Sequence, residues 1–171
     1  VIDAPVRRLD DGVVALREMR REDARDLYRW RMHPQSRFCF HDTSEVPYEA
    51  HERFVDSYFA PTNRDAWFVI EAQGRAVGTI SLYNRSPDGR RAEWGRFVVA
   101  PEERGRGWGR RALTLLIEHA RSVGIRELTC DVLASNEAPR ALYRALGFVE
   151  TGVLTVRGRE FVTMRLELPS A

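Results

Sequence analysis

The chain has 171 residues, 43% hydrophobic and 30% charged, with a formal net charge of +2. A chain of this length buries roughly 70% of the surface its unfolded form exposes, so one domain needs no disulfide or metal staple. The near-neutral balance excludes the global field of a nucleic-acid binder, and no apolar run approaches a membrane span. Cys39 and Cys130 form no C-x-x-C motif, and His33, His41, His51 and His119 lack a paired ligand spacing, so no metal site is expected. The first dozen residues lack the apolar segment of a secretory signal. The expectation is therefore a single domain over 1–171 in the cytoplasm, with 1–12 a flexible leader, no membrane or nucleic-acid partner, and a monomer or homodimer.

In chain order, "VVALREM" alternates as a strand with one buried face, and "REDARDLYRWRM" follows as a helix closed by Pro34. "PYEAHERFVDSYF" predicts a second helix, with Phe54, Val55, Tyr58 and Phe59 as its apolar stripe. "AWFVIEA" and "AVGTISLYN" flank a glycine turn as a hairpin, and "RAEWGRFVV" continues the meander. A helix from about Trp108 through Val123 carries Ala112, Leu113, Leu116, Ile117 and Ala120 at helical spacing, with Gly124 as its stop. "RELTCDVL" is another strand, "NEAPRALYRAL" a final helix, and "EFVTMRLEL" a terminal strand. The fold class is mixed α/β.

Between the third meander strand and the long helix lies "VVAPEERGRGWGRRAL". Glycines leading to a helix N-terminus let phosphates approach unpaired backbone N–H groups and the positive end of the dipole. With no lysine in the chain, the Walker pattern G-x-x-x-x-G-K-[ST] fails; Arg110 stands where a dinucleotide fingerprint needs its third glycine. A third reading is an acyl-CoA loop. "RGRGWG", Arg104 to Gly109, resembles the Q/R-x-x-G-x-G/A signature of the GNAT family of N-acetyltransferases, and "NEAPRALYRALGF", Asn136 to Phe148, resembles that family's second motif.

The resemblance implies a single-domain fold with a mostly antiparallel sheet of six or seven strands, about four helices and one splayed strand pair holding acetyl-CoA. It implies that Arg104, Gly105, Arg106, Gly107, Trp108, Gly109 and Arg110 hold the pyrophosphate. Phe97, Val98 and Val99 would offer main-chain bonds to the thioester arm, and Asn136 would contact that arm. It further implies that Tyr143 protonates the leaving thiolate and that Glu93 takes the proton of the incoming amine; both roles suit a phenol and a carboxylate. Packing and a solvated ion pair are the structural alternatives for Tyr143 and Glu93.

"LYRWRMHP", "YEAHERF" and "AEWGRFVVAP" are similar to the subgroup acetylating amino groups on nucleotide-linked sugars, although Met32 stands where that subgroup has Asn. On that reading Trp30, His33, Phe40 and His51 touch a small-molecule amine acceptor. A peptide N-terminus or an aminoglycoside is an alternative acceptor, and a non-catalytic acyl-CoA-binding module is an alternative of another class.

Overall fold

A computed structural model describes residues 8–169. Eight strands lie in one sheet: β1 (Arg8–Asp10), β2 (Val14–Glu18), β3 (Ala66–Ala72), β4 (Arg75–Tyr83), β5 (Arg91–Val99), β6 (Glu127–Leu133), β7 (Val149–Val156) and β8 (Arg159–Glu167), in the order β1-β2-β3-β4-β5-β6-β8-β7. The helices are α1 (Ala24–Met32), α2 (Pro34–Arg37), α3 (Tyr48–Tyr58), α4 (Trp108–Ser122) and α5 (Glu137–Ala145). All neighbouring strands run antiparallel except β5 and β6. The mixed α/β architecture matches the expectation, and beyond the strands and helices named from sequence it has two edge strands, β1 and β7, and the short helix α2. Of the proposed flexible leader, residues 1–7 lie outside the described residues, while Arg8–Asp10 pair with Ala15–Arg17.

Alternation along β3 shows how the sheet separates two cores. Phe68 and Ile70 join the cluster covered by Leu113, Leu116 and Ala120 of α4; Trp67 and Val69 join the one covered by Leu27 and Trp30 of α1 and Val55 of α3. On α3 the expected stripe is narrower than its sequence suggests. Val55 is buried, but Phe54 and Phe59 are exposed at 48% and 36%.

The decisive irregularity is in β5. Thr79 of β4 faces Val98 and Ser81 faces Gly95, so Arg96 and Phe97 together oppose the single residue Ile80. This is a β-bulge, and Arg96 sits in it at φ 46°, a region side chains seldom adopt. One extra residue reverses the facing of everything beyond it. Trp94 accordingly packs in the α4-side core and Val98 in the α1-side core, although both numbers are even.

On its other edge β5 parts from β6 three residues before Arg96. The β5–β6 ladder contains only Arg91–Glu93 against Glu127–Thr129. After that, β5 stays with β4 as far as Val99, and β6 stays with β8 as far as Leu133. From Trp94 and Cys130 onward the two parallel strands diverge.

The other end of the sheet is pinned by charge. Arg17 donates to both carboxylate oxygens of Asp23 at 2.7 and 2.8 Å and to Glu71 at 2.7 Å. Burial works to raise both carboxyls, yet for Asp23 the bonds from Arg17 and Arg20 outweigh it, and for Glu71 those from Arg8 and Arg17 do, so both lie below the usual range. A depressed carboxyl stabilises the fold above its ordinary titration range and loses that contribution as pH falls through it. Replacing Arg17 by Met should cost about 2 kcal/mol at pH 7. Urea titrations of the two proteins should converge as the pH falls below the ordinary carboxylate range and the lowered wild-type carboxyls take up protons in their turn.

Candidate functional site

The divergence of β5 from β6 opens a cavity of about 990 Å³. Its walls come from both strands, from the loop before α4 and that helix's first turn, from α5, and from the segment after α2. Glu93 and Trp94 are consecutive in β5 and so point to opposite faces of the sheet. Tyr143 of α5 stands edge-to-face on Trp94, with ring centroids 4.9 Å apart and planes at 81°. Glu93 and Tyr143 nevertheless line the same cavity, because it passes through the gap in the sheet.

The surroundings of these two residues differ. Tyr143 is buried, and burial, reinforced by the Cys130 and Cys39 thiols, pushes its phenol well above the ordinary tyrosine value. Glu93 is only partly buried and accepts a hydrogen bond from Asn84 Nδ2 at 3.2 Å. Opposite it in β4 is Tyr83, whose phenol is pushed up to about 12 by burial and then by the Glu93 charge. Both cysteine thiols are raised, chiefly by burial, so neither is a thiolate at neutral pH.

The glycine loop reaches α4 through Gly105 and Gly107, at φ 76° and 82°. Gly107 occupies the N-cap in the left-handed conformation and offers no side-chain cap, so the first N–H groups of α4 keep unused donors. Gly109 has a different role. A Cβ there would lie 3.0 Å from Phe97 Cζ and 3.5 Å from Val99 Cγ2, so its missing side chain lets the helix start sit directly on β5.

Around this loop the side chains behave differently from their neighbours in sequence. Arg110 lines the cavity. Arg104 also lines it, but its guanidinium is engaged, donating to Val99 O at 3.2 Å and to Ser36 Oγ at 2.8 Å. Arg106 turns from the cavity toward Glu103 at 3.5 Å. Trp108 is buried, with Nε1 3.4 Å from the same carboxylate. Glu103 thus holds the loop from beneath, and Arg75 in turn holds Glu103 with two donors at 2.9 and 2.7 Å. Arg75 first, then Trp108 and Arg106, lower the Glu103 carboxyl despite its burial.

Asn136 stands at the N-cap of α5, but its side chain does not cap the helix. Its Nδ2 donates instead to Cys39 Sγ at 3.3 Å, bringing α5 against the segment after α2.

Of the proposed acceptor residues, only Phe40 lines the cavity. Trp30 is 1% exposed in the α1-side core, because α1 turns Ala24, Leu27 and Trp30 inward. His51 is buried within hydrogen-bonding distance of Ala24 O, at 2.9 Å. His33 starts α2 and accepts from the Gln35 N–H. Met32 is structural too: its sulfur accepts from Val46 N at 3.5 Å. Residues given no acceptor role by sequence, Arg31, Tyr83 and Asp131, line the cavity instead, as do Phe38 and His41. Arg31 follows Trp30 in "LYRWRMHP"; only the fold shows that the tryptophan is buried and the arginine lines the cavity.

Residues 16–148 match the acetyltransferase (GNAT) family. The chain belongs to that family. Among curated relatives, L-amino acid N-acyltransferase MnaT of Escherichia coli is 34% identical over 112 residues, covering 58% of this chain and 65% of the relative. The uncharacterized N-acetyltransferase YycN of Bacillus subtilis is 47% identical over 58 residues, covering 34% and 37%. The matches thus span less than two thirds of these relatives' own length.

In the solved structures, spermidine N-acetyltransferase from Vibrio cholerae in complex with CoA and spermine superimposes with a TM-score of 0.83 at 21% identity, over 92% of this chain and 96% of that one. RimL, a ribosomal L7/L12 alpha-N-protein acetyltransferase, in complex with CoA, gives 0.81 at 16% identity over 94% and 98%. At such identities the likeness establishes the GNAT fold. No helix of the described residues is long and apolar enough to cross a membrane.

The Gly109 contact has a direct consequence. Gly109→Val should push α4 off Phe97 and Val99 and destabilise the protein by about 1–3 kcal/mol, read as a lowered thermal midpoint. A smaller loss is expected for Gly109→Ala, because only the tip of the Phe97 ring must move.

Proposed function

We propose that this chain is an N-acetyltransferase that moves an acetyl group from acetyl-CoA to the primary amine of a small molecule, directly and within one ternary complex. The observation that carries this reading is the opening through the sheet, which puts Glu93 and Tyr143 on one cavity whose far end is the uncapped start of α4. The residues present fit acetyl-CoA: backbone donors on a glycine approach for its pyrophosphate, a gap between strands for its arm, and a protonated phenol near where the strands part. Acetyl-CoA supplies the activated thioester.

In this reading Gly105, Gly107 and the N–H groups of residues 107–110 hold the pyrophosphate, with Arg110 adding charge from its side chain. Arg104 and Arg106 act by shaping the loop, since their side chains are occupied elsewhere. Beyond Glu93 the edge of β5 facing β6 has no strand partner, so main-chain groups of Phe97, Val98 and Val99 bind the arm and polarise the thioester carbonyl. Asn136 gives up its bond to Cys39 to reach the arm. Glu93 accepts the amine proton, directly or through water, and Tyr143 Oη donates a proton to the departing sulfur. Raised thiols at Cys39 and Cys130 favour direct transfer over a covalent acetyl-enzyme.

The acceptor is to be sought among nucleotide-linked amino sugars, on the subgroup pattern "AEWGRFVVAP", and among free amino acids and polyamines, the amines named for MnaT and the Vibrio cholerae enzyme. Tyr143→Phe should lower kcat by about 10²–10⁴-fold and leave the CoA dissociation constant unchanged. Because burial holds the phenol in its acid form, the wild-type pH–rate profile should show no descending limb up to about pH 10. Unaltered turnover in the variant would remove Tyr143 from the chemistry. Tight CoA binding with no thiol release across amino acids, polyamines, amino sugars and peptides would identify a non-catalytic binding module.

A further inference from the structure

Two arginines, Arg31 and Arg96, line the acceptor side of the cavity, and Arg37, Arg157 and Arg159 belong to the same part of the fold without lining it. Arg96 pairs with Asp65 at 3.0 Å, Arg37 with Glu45 at 2.7 Å, and Arg157 with Asp42 at 3.0 Å. Arg159 donates to the carbonyls of Phe38 and Phe40. Arg31 lines the cavity and takes part in none of the described ion pairs. Its guanidinium carbon sits 3.8 Å from the centroid of the Phe40 ring. One nitrogen, Nη2, donates to Asp42 O at 2.8 Å. The other, Nη1, is enclosed and has no hydrogen-bond partner among the described residues.

Asp42 supplies its backbone to Arg31 but turns its carboxylate elsewhere, accepting from Ser44 N at 2.9 Å and from Arg157. Burial lowers the Arg31 guanidinium, Asp42 acts against this, and Arg37 lowers it further. Arginine remains charged even so. A buried donor on a fixed cation, left without an acceptor, is costly and marks a place for an anion. The ring of Phe40 covers it, on a segment outside every helix and strand.

We propose that Arg31 is the seat for a carboxylate on the acceptor, so that the acceptor is an amine that also carries a carboxylate, such as a free amino acid. This rests on the transferase reading in placing the amine at Glu93. The cavity then has an anion at one station, Glu93, and an uncompensated cation at another, Arg31, which is the polarity of a zwitterion. A polyamine would bring an ammonium toward Arg31 instead. Of the two arginines lining this part of the cavity, Arg96 is paired with Asp65 and Arg31 has no carboxylate among the described residues, which matches a carboxylate monoanion, whereas a nucleotide diphosphate asks for at least two cations and the neighbouring Arg37 is already paired.

The test titrates CoA-loaded protein by calorimetry with amino acids of differing amine-to-carboxylate length, their amides, spermidine and a nucleotide-linked amino sugar. Thiol release from acetyl-CoA is followed in parallel. At least one amino acid should bind, and its amide should bind about 10- to 100-fold more weakly. Arg31→Gln should reduce the acid to the level of the amide and leave the amide and CoA affinities unchanged; Arg31→Lys should restore part of the preference. Equal binding of acid and amide by the wild type, a preference that survives Arg31→Gln, or tighter binding of spermidine or the amino sugar than of every amino acid overturns the proposal. The acid–amide comparison in the wild type decides even if a variant fails to fold. Arg31-dependent binding without thiol release would overturn the transferase reading and leave the carboxylate seat standing.

Discussion

One extra residue in β5 sets which way the end of that strand faces as it enters the site. Arg96 holds a positive φ that a side chain seldom adopts, and it is kept there by Asp65 and by the rings of Phe54, Trp67 and Tyr83, whose centroids lie 5.3, 5.0 and 4.6 Å from its guanidinium carbon. Strain at a bulge persists when its surroundings over-determine it. Here the surroundings come from β3, β4, α3 and the loop before β3, so the bend in β5 is held from several elements at once. The parallel ladder ends at Glu93, just ahead of that bend, and the cavity opens where a continuous sheet would have been closed.

A second constraint is how arginine is used. The chain has no lysine, and its guanidiniums serve largely as fixed struts: Arg104 ties the end of β5 to α2, Arg75 holds Glu103 under the glycine loop, and Arg159 holds the carbonyls of Phe38 and Phe40. Planar multi-donor groups suit that work better than ammonium groups would. The consequence for the loop is that its ligand-facing surface is mostly backbone. Two arginines of a motif that reads as a cationic patch are spent on positioning, and the helix N-terminus and Arg110 are left to meet an anion.

The two chemistry-bearing side chains are related through Trp94. It neighbours Glu93 in the chain, and packs on Tyr143 in space. This arrangement lets one group approach from each face of the sheet, and gives them opposite environments: Tyr143 desolvated so that it keeps its proton, Glu93 partly exposed beside Asn84. On the proposed roles of Tyr143 and Glu93, an acid and a base placed so would need no contact with each other, since both reach the gap between the strands.

By itself the sequence determined most of the element order, because hydrophobic periodicity and glycine stops are local signals: α4 starts at Trp108 as its spacing predicts, and Gly124 follows its end. The glycine loop before α4 was legible for the same reason, since a loop leading to a helix start is contiguous, and so was the placing of Asn136 and Tyr143 at the cap and within α5. The acceptor side was not. Trp30 and Arg31 are adjacent letters of one helical pattern, and only the packing of α1 on the sheet decides that the tryptophan goes into the core while the arginine lines the cavity. His51 reads as a free ligand in sequence and is satisfied by Ala24 O across two helices. The bulge at Arg96 left no signal in "AEWGRFVV", because its cause is long-range: Asp65 and three aromatic rings distant in sequence meet at one guanidinium only when the sheet has formed.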